Sequence, residues 1–105
     1  MSKFSAVLDS LIDAGKISER DYEDFEKSLL DNVEQGSLIQ ETGGIRKTRL
    51  KSATKGKRGG FRVCYFDNPN KENLFLIVIY GKNEKEDLSS GEKKILKSLV
   101  QRLKR

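Results

Sequence analysis

The residues of this chain best suited to chemistry are its lysines and arginines. Between Thr42 and Phe66 stand Arg46, Lys47, Arg49, Lys51, Lys55, Lys57, Arg58 and Arg62, with no carboxylate among them. Such a run sets up a field that attracts phosphate, the usual footprint of a nucleic-acid partner. The charge is sorted along the chain: residues 1–41 hold ten acidic and four basic groups, and residues 67–105 hold six and nine. A merely soluble protein has no need of that segregation. Histidine is absent altogether, which removes the imidazole base, the Ser/His/Asp and Cys/His arrangements and nearly every zinc site. For work on a phosphodiester there remain amines, guanidinium groups, phenols and carboxylates, and the basic segment makes Lys and Arg the available choice.

Positioning decides whether these cations act together. From Ile45 to Lys51 the period is two, so the spacing predicts a strand with Ile45, Lys47, Arg49 and Lys51 on one side. Arg62, Cys64 and Phe66 share a face of the next strand, and the pairing register determines whether Arg62 joins the row. Like charges side by side destabilise a sheet unless an anion lies between them, which favours a functional reading of Lys47 with Arg49. The competing reading is a solvated strand face whose lysines discourage edge aggregation. Lys55, Lys57 and Arg58 fall in a polar segment closed by Gly59-Gly60, where flexible cations follow a nucleic-acid backbone without reading bases. Phe61, Tyr65 and Tyr80 have the chemistry to stack bases, although strand aromatics in so short a chain usually fill the core.

The rest of the chain must supply the scaffold. Phe4, Val7, Leu8, Leu11 and Ile12 recur at helical spacing before Gly15. Ser18 and Asp21 form a capping-box pattern that opens a second helix, its apolar stripe running from Tyr22 to Val33 and its stop near Gly36. Strands follow at 45–51, 61–66 and 74–80, separated by the polar loop and by Asp67-Asn68-Pro69-Asn70. Leu74 to Tyr80 is apolar throughout, which predicts a strand covered on both faces, as a central strand is. Ser89 and Glu92 cap a last helix with Ile95, Leu96, Leu99, Val100 and Leu103 on one side. The order predicts an α+β fold, a helical hairpin packed on an antiparallel sheet of three strands or four, with a C-terminal helix.

At 105 residues the chain is the length of one domain, 1–105. Its longest apolar run is far short of the roughly 20 residues that cross a bilayer, so a cytoplasmic protein without a membrane partner is expected. The single Cys64 cannot form an internal disulfide and reads as an inert core thiol. No motif for a cofactor or metal is present.

Three segments, Thr-Gly-Gly-Ile-Arg-Lys-Thr-Arg at 42–49, Arg-Gly-Gly-Phe-Arg-Val-Cys-Tyr-Phe at 58–66 and Ile-Tyr-Gly-Lys-Asn-Glu-Lys-Glu-Asp-Leu at 79–88, resemble the HigB branch of the RelE/ParE superfamily of bacterial toxins. The resemblance spans roughly residues 17–103. It implies a RelE-like fold and a toxin of a type II toxin–antitoxin pair, a ribosome-dependent, metal-independent endoribonuclease that cuts messenger RNA and arrests growth. Its partners would be messenger RNA on the ribosome, with ribosomal RNA contacts, and a HigA-like helix-turn-helix antitoxin. The resemblance makes Lys47 the candidate base, activated by neighbouring cations, with Arg49 and Arg62 clamping the phosphate and Lys82 assisting. Arg46, Lys51, Lys55, Lys57, Arg58 and Asn83 would contact RNA around them. Many relatives have arginine at the position of Asn83 and tyrosine near Ser89, which leaves the leaving-group acid without an assigned residue. Two other readings are a non-catalytic basic RNA- or DNA-binding module and a ParE-like toxin of DNA gyrase.

Overall fold

The computed structural model describes residues 3–52, 60–68, 73–81, 84–85 and 87–104. Helices α1 (Lys3–Asp13) and α2 (Glu19–Asp31) form the predicted hairpin. The capping box of α2 is closed both ways: the Asp21 N–H donates to Ser18 Oγ at 2.9 Å and the Ser18 N–H to Asp21 Oδ2 at 3.1 Å. Two helix-starting donors are thereby satisfied. The helix stops at Asp31, short of the expected Gly36, because the chain beyond it is held by tertiary contacts. The buried Tyr65 phenol donates to the Val33 carbonyl at 2.7 Å and accepts from the Gly36 N–H at 3.0 Å. A side chain at position 36 would collide with that arrangement, since a Cβ there would lie 2.8 Å from the Lys47 carbonyl oxygen and 2.9 Å from Tyr65 Oη.

Among the described residues four antiparallel strands follow, β1 (Ser37–Leu38), β2 (Arg46–Leu50), β3 (Phe61–Asn68) and β4 (Asn73–Gly81), in the spatial order β1-β2-β3-β4. The fourth strand is thus the two-residue β1, paired to β2 through Ser37↔Lys47 and Leu38↔Arg46. The connection between them turns at Glu41, Gly43 and Gly44, all at positive φ, where Gly carries no Cβ penalty. Buried Thr42 fastens the turn, its hydroxyl donating to the Ile39 carbonyl at 2.7 Å and accepting from the Ile45 N–H at 3.2 Å.

The two hairpins β2–β3 and β3–β4 form as the turn chemistry predicts. The expectation that the apolar strand is central is corrected by the sheet order: β4 is a terminal strand. Its unbroken apolar character reports helices on both of its faces, and says nothing about how many strands flank it. On one face, α1 and α2 bury Phe4, Leu8, Phe25 and Leu29 against Leu50, Phe61, Val63, Tyr65 and Ile79. On the other, α3 (Ser90–Leu103) buries Leu96 and Val100 against Ile45, Cys64, Phe66 and Tyr80. Helix α3 carries the expected capping box, with the Glu92 N–H donating to Ser89 Oγ and the Ser89 N–H to Glu92 Oε1. Asn68 Nδ2 donates to the Leu103 carbonyl at 3.1 Å, tying the far end of α3 to β3. No described helix is long and apolar enough to cross a membrane.

Candidate phosphate-binding site

Register settles which cations share a face. Arg49 lies directly opposite Arg62, and Lys47 directly opposite Cys64. Opposed residues of an antiparallel pair project to the same side, and alternation along β2 carries Lys47 and Arg49 to one face. Lys47, Arg49 and Arg62 therefore stand on the face that α3 covers only in part. Where α3 ends its coverage the apolar core of that face gives way to the cationic row, and Cys64 lies at the boundary with its side chain fully buried. Arg49 is exposed, and its stem lies 3.7 Å from the place a Cβ would occupy at Gly60.

Arg62 is half-buried, and its Nη1 has no hydrogen-bond partner. Tyr80, the cross-strand neighbour of Arg62, has a buried hydroxyl with no nitrogen or oxygen partner, and what it acts on is the Cys64 thiol. Buried polar groups are normally satisfied, so the unpartnered Arg62 Nη1 beside it marks a polar spot in the cationic row that the described residues leave uncompensated. Burial pushes the Tyr80 phenol up to about 12, so it remains a neutral donor at physiological pH. Burial likewise pushes the Cys64 thiol up to about 11, with Lys47 and Lys85 pulling the other way. A thiol held so high is a poor nucleophile.

The segment before α3 reaches into the site. Lys47 Nζ donates to Asp87 Oδ1 at 2.7 Å, and this hydrogen bond holds the Asp87 carboxyl below its ordinary value. Lys85 Nζ lies 5.0 Å from the centre of the Tyr80 ring and pairs with Glu92, whose carboxyl it holds down. These are the two ion pairs among the described residues. Neither Lys85 nor Asp87 is among the residues that the sequence singles out. The available signal was their place between an apolar strand and a helix N-cap, where sites tend to form.

The remaining expected contacts distribute differently. Arg46 alternates to the opposite face and donates from Nη1 to the carbonyls of Gly36 at 2.8 Å and Glu34 at 3.3 Å. It bolts the segment after α2 to β2. Lys51 is exposed just past the end of β2. Lys55, Lys57, Arg58, Lys82 and Asn83 lie outside the described residues. The three aromatics with stacking chemistry, Phe61, Tyr65 and Tyr80, are all core, at 6%, 0% and 3% exposure. No group of three or more His, Cys, Asp or Glu residues among the described residues is placed to hold a metal ion.

An arrangement of one amine and two guanidinium groups on a sheet face can grip a phosphate, since guanidinium forks match its oxygens and remain charged at every accessible pH. Residues 21–105 match the model of a family described as RelE toxin of RelE / RelB toxin-antitoxin system.

Proposed function

This chain belongs to the RelE toxin family, and from that premise we propose that it is a ribosome-dependent endoribonuclease that stops translation by cutting messenger RNA. Residues 1–105 act as a single toxin domain in this reading. The observation that carries it is the convergence of Lys47, Arg49 and Arg62, from two strands, on one sheet face, beside a buried guanidinium nitrogen with no partner.

The chemistry such a site supports is an internal transfer. The RNA 2′-oxygen attacks the adjacent phosphorus while its proton passes to Lys47, which must first have lost its own proton to act as the acceptor. A new P–O bond closes the 2′,3′-cyclic phosphate as the bond to the 5′-oxygen breaks. Arg49 and Arg62 hold the non-bridging oxygens and stabilise the added negative charge, and Lys82 assists. Orientation and charge stabilisation carry most of the catalysis in such a mechanism. The departing 5′-oxygen takes a proton from a group that the ribosome supplies. In the free chain Asp87 holds Lys47, so an incoming phosphate must displace a carboxylate before the amine is available.

The three sequence segments 42–49, 58–66 and 79–88 favour the HigB branch, with a HigA-like antitoxin and a cytoplasmic site of action. Inducing the chain and mapping the 5′ ends of cellular messages tests the reading. New ends with 5′-hydroxyl groups, lost in Arg62→Ala and Lys47→Ala, are the expected result. Growth arrest with intact messages would overturn it: RNA retention without cleavage points to a binding module, and DNA damage to a gyrase-directed toxin.

A further inference from the structure

We propose that the RNA strand held at the cationic row continues along one flank of α3, where Lys93, Lys97 and Lys104 bind its neighbouring phosphates. With 3.6 residues per turn, these three side chains leave the helix within about 40° of one another, and a rise of 1.5 Å per residue spreads them over roughly 16 Å. Contacts at both ends fix where that flank looks. Lys104 Nζ donates to the Gly43 carbonyl at 3.3 Å and lies 5.9 Å from the centre of the Phe66 ring. Val100, one turn earlier, comes within 3.4 Å of the place a Cβ would take at Gly43. At the start of the helix, Lys93 adds to the hold that Lys47 has on the Asp87 carboxyl. The stripe thus begins beside the Lys47–Asp87 pair and ends at the turn between β1 and β2. The other flank of α3 turns Ile95 and Leu99 toward β4.

A solvated helix face accounts for only part of this stripe. The helix dipole favours Arg102 and Lys104 near the C-terminal end, but it disfavours Lys93 and Lys94, which follow directly on the first turn. Neither ion pair among the described residues engages Lys93 or Lys97. Glu92, the only carboxylate of α3, is taken by Lys85. Asp87 is committed to Lys47 and reaches Lys93 only at longer range. Like the row on β2, the stripe gathers positive charge that an anion from outside would relieve.

The chemistry of the flank selects a polyanion over a protein. Protein interfaces have an apolar centre and are depleted in Lys, whereas the exposed residues beside this stripe are Lys94, Ser98 and Gln101. Ile95, the exposed large apolar residue of α3, leaves the helix on the far side. Amines without an apolar anchor suit a phosphate backbone, which they position without reading bases. Continuity selects which strand: an RNA that displaces Asp87 from Lys47 is led directly onto Lys93. The inference rests on the cationic row's being an RNA site, and adds the course of the strand beyond it.

The test is binding of fully 2′-O-methylated RNA, which lacks the attacking hydroxyl and stays whole, to the free chain over a range of salt. A dodecanucleotide is expected to bind at least about tenfold more tightly than a trinucleotide. In Lys93→Gln/Lys97→Gln most of that advantage should vanish, and the slope of log K against log salt should become shallower by about 1.4, two phosphate contacts at about 0.7 each. Trinucleotide binding should be unchanged. Lys93→Arg/Lys97→Arg should keep the advantage, since the contact needs charge alone. No length advantage in the unaltered chain, or its survival in the glutamine variant, would overturn the proposal. So would an equal loss for both lengths, the sign of damage to the fold or to the row itself. Loss of antitoxin affinity with RNA binding intact would also overturn it and mark the flank as a protein surface. Whole messages after induction, with the length dependence in place, would sink the nuclease reading alone.

Discussion

The two faces of the sheet are built from the same strands and serve different ends. Under α1 and α2, the strands offer Leu50, Phe61, Val63, Tyr65 and Ile79, none more than 6% exposed. Under α3, Ile45, Cys64, Phe66 and Tyr80 are equally buried, but the row then changes to Lys47, Arg49 and Arg62 on the same face. One face is closed and uniform, and its energy comes from packing. The other is packed only as far as α3 reaches, and its uncovered part accumulates like charge that the described residues compensate at Lys47, through Asp87, and leave standing at Arg62 Nη1. The lesson is that a small domain can hold a repulsive cluster when a complete core lies directly behind it. Repulsion between exposed cations costs little, while the far-side core contributes roughly 1.5–3 kcal/mol for each large apolar side chain buried.

The largest effect should come from breaking the closed face. Leu29, 1% exposed, sits among the residues joining α2 to the sheet, and Leu29→Ala is expected to cost about 2–5 kcal/mol in denaturant unfolding. RNA cleavage per folded molecule should be retained below the new melting temperature. The converse substitutions on the open face, Arg62→Ala and Lys47→Ala, should lower the cleavage rate about 100- to 1000-fold, the scale of removing one preorganised donor. Their melting temperatures should stay within a few degrees of wild type, because Arg62 Nη1 has no partner to lose and Lys47 loses an ion pair to the exposed Asp87, which contributes little. If either variant instead unfolds with its activity per folded molecule intact, the contrast between the faces fails.

Gly36 couples the two faces. A methyl group there meets the Lys47 carbonyl and the Tyr65 hydroxyl together, so Gly36→Ala is expected to destabilise by about 1–3 kcal/mol and to lower activity as β2 shifts at Lys47. The smallest effect belongs to Asp87→Asn, which releases Lys47 and should raise RNA affinity by no more than about fivefold, the scale of an exposed ion pair. Its pH signature has a definite sign. The Asp87 carboxyl is held below its ordinary value of 3.8, so the stability this pair contributes is complete above that pH and fades as acid titrates the carboxylate. Acid unfolding of Asp87→Asn should lack that small component.

Much of the scaffold was legible along the chain. Both capping boxes, the apolar stripes of the three helices and the two long hairpins follow from local rules of spacing, capping and turn chemistry that act within a few residues. The end of α2 was not, because a phenol from 32 residues away claims the Val33 carbonyl. Nor was the edge position of β4, since apolar faces report covering helices and carry no record of lateral neighbours. Within the site, alternation was enough to group Lys47 with Arg49. It could not say that Arg46 would be spent on the Glu34 and Gly36 carbonyls, or that Asp87 would reach Lys47.

By itself, then, the sequence determined which groups are on offer: a chain without histidine and with a segregated block of Lys and Arg meets a phosphate chiefly with amines and guanidinium groups. The tertiary structure decided which of them stand together. The β2–β3 register sets Arg49 opposite Arg62, and a shift of one residue would have turned Arg62 toward the apolar face beneath α1 and α2. Register is a property of two strands and of the cores that hold them, and no single stretch of residues contains it.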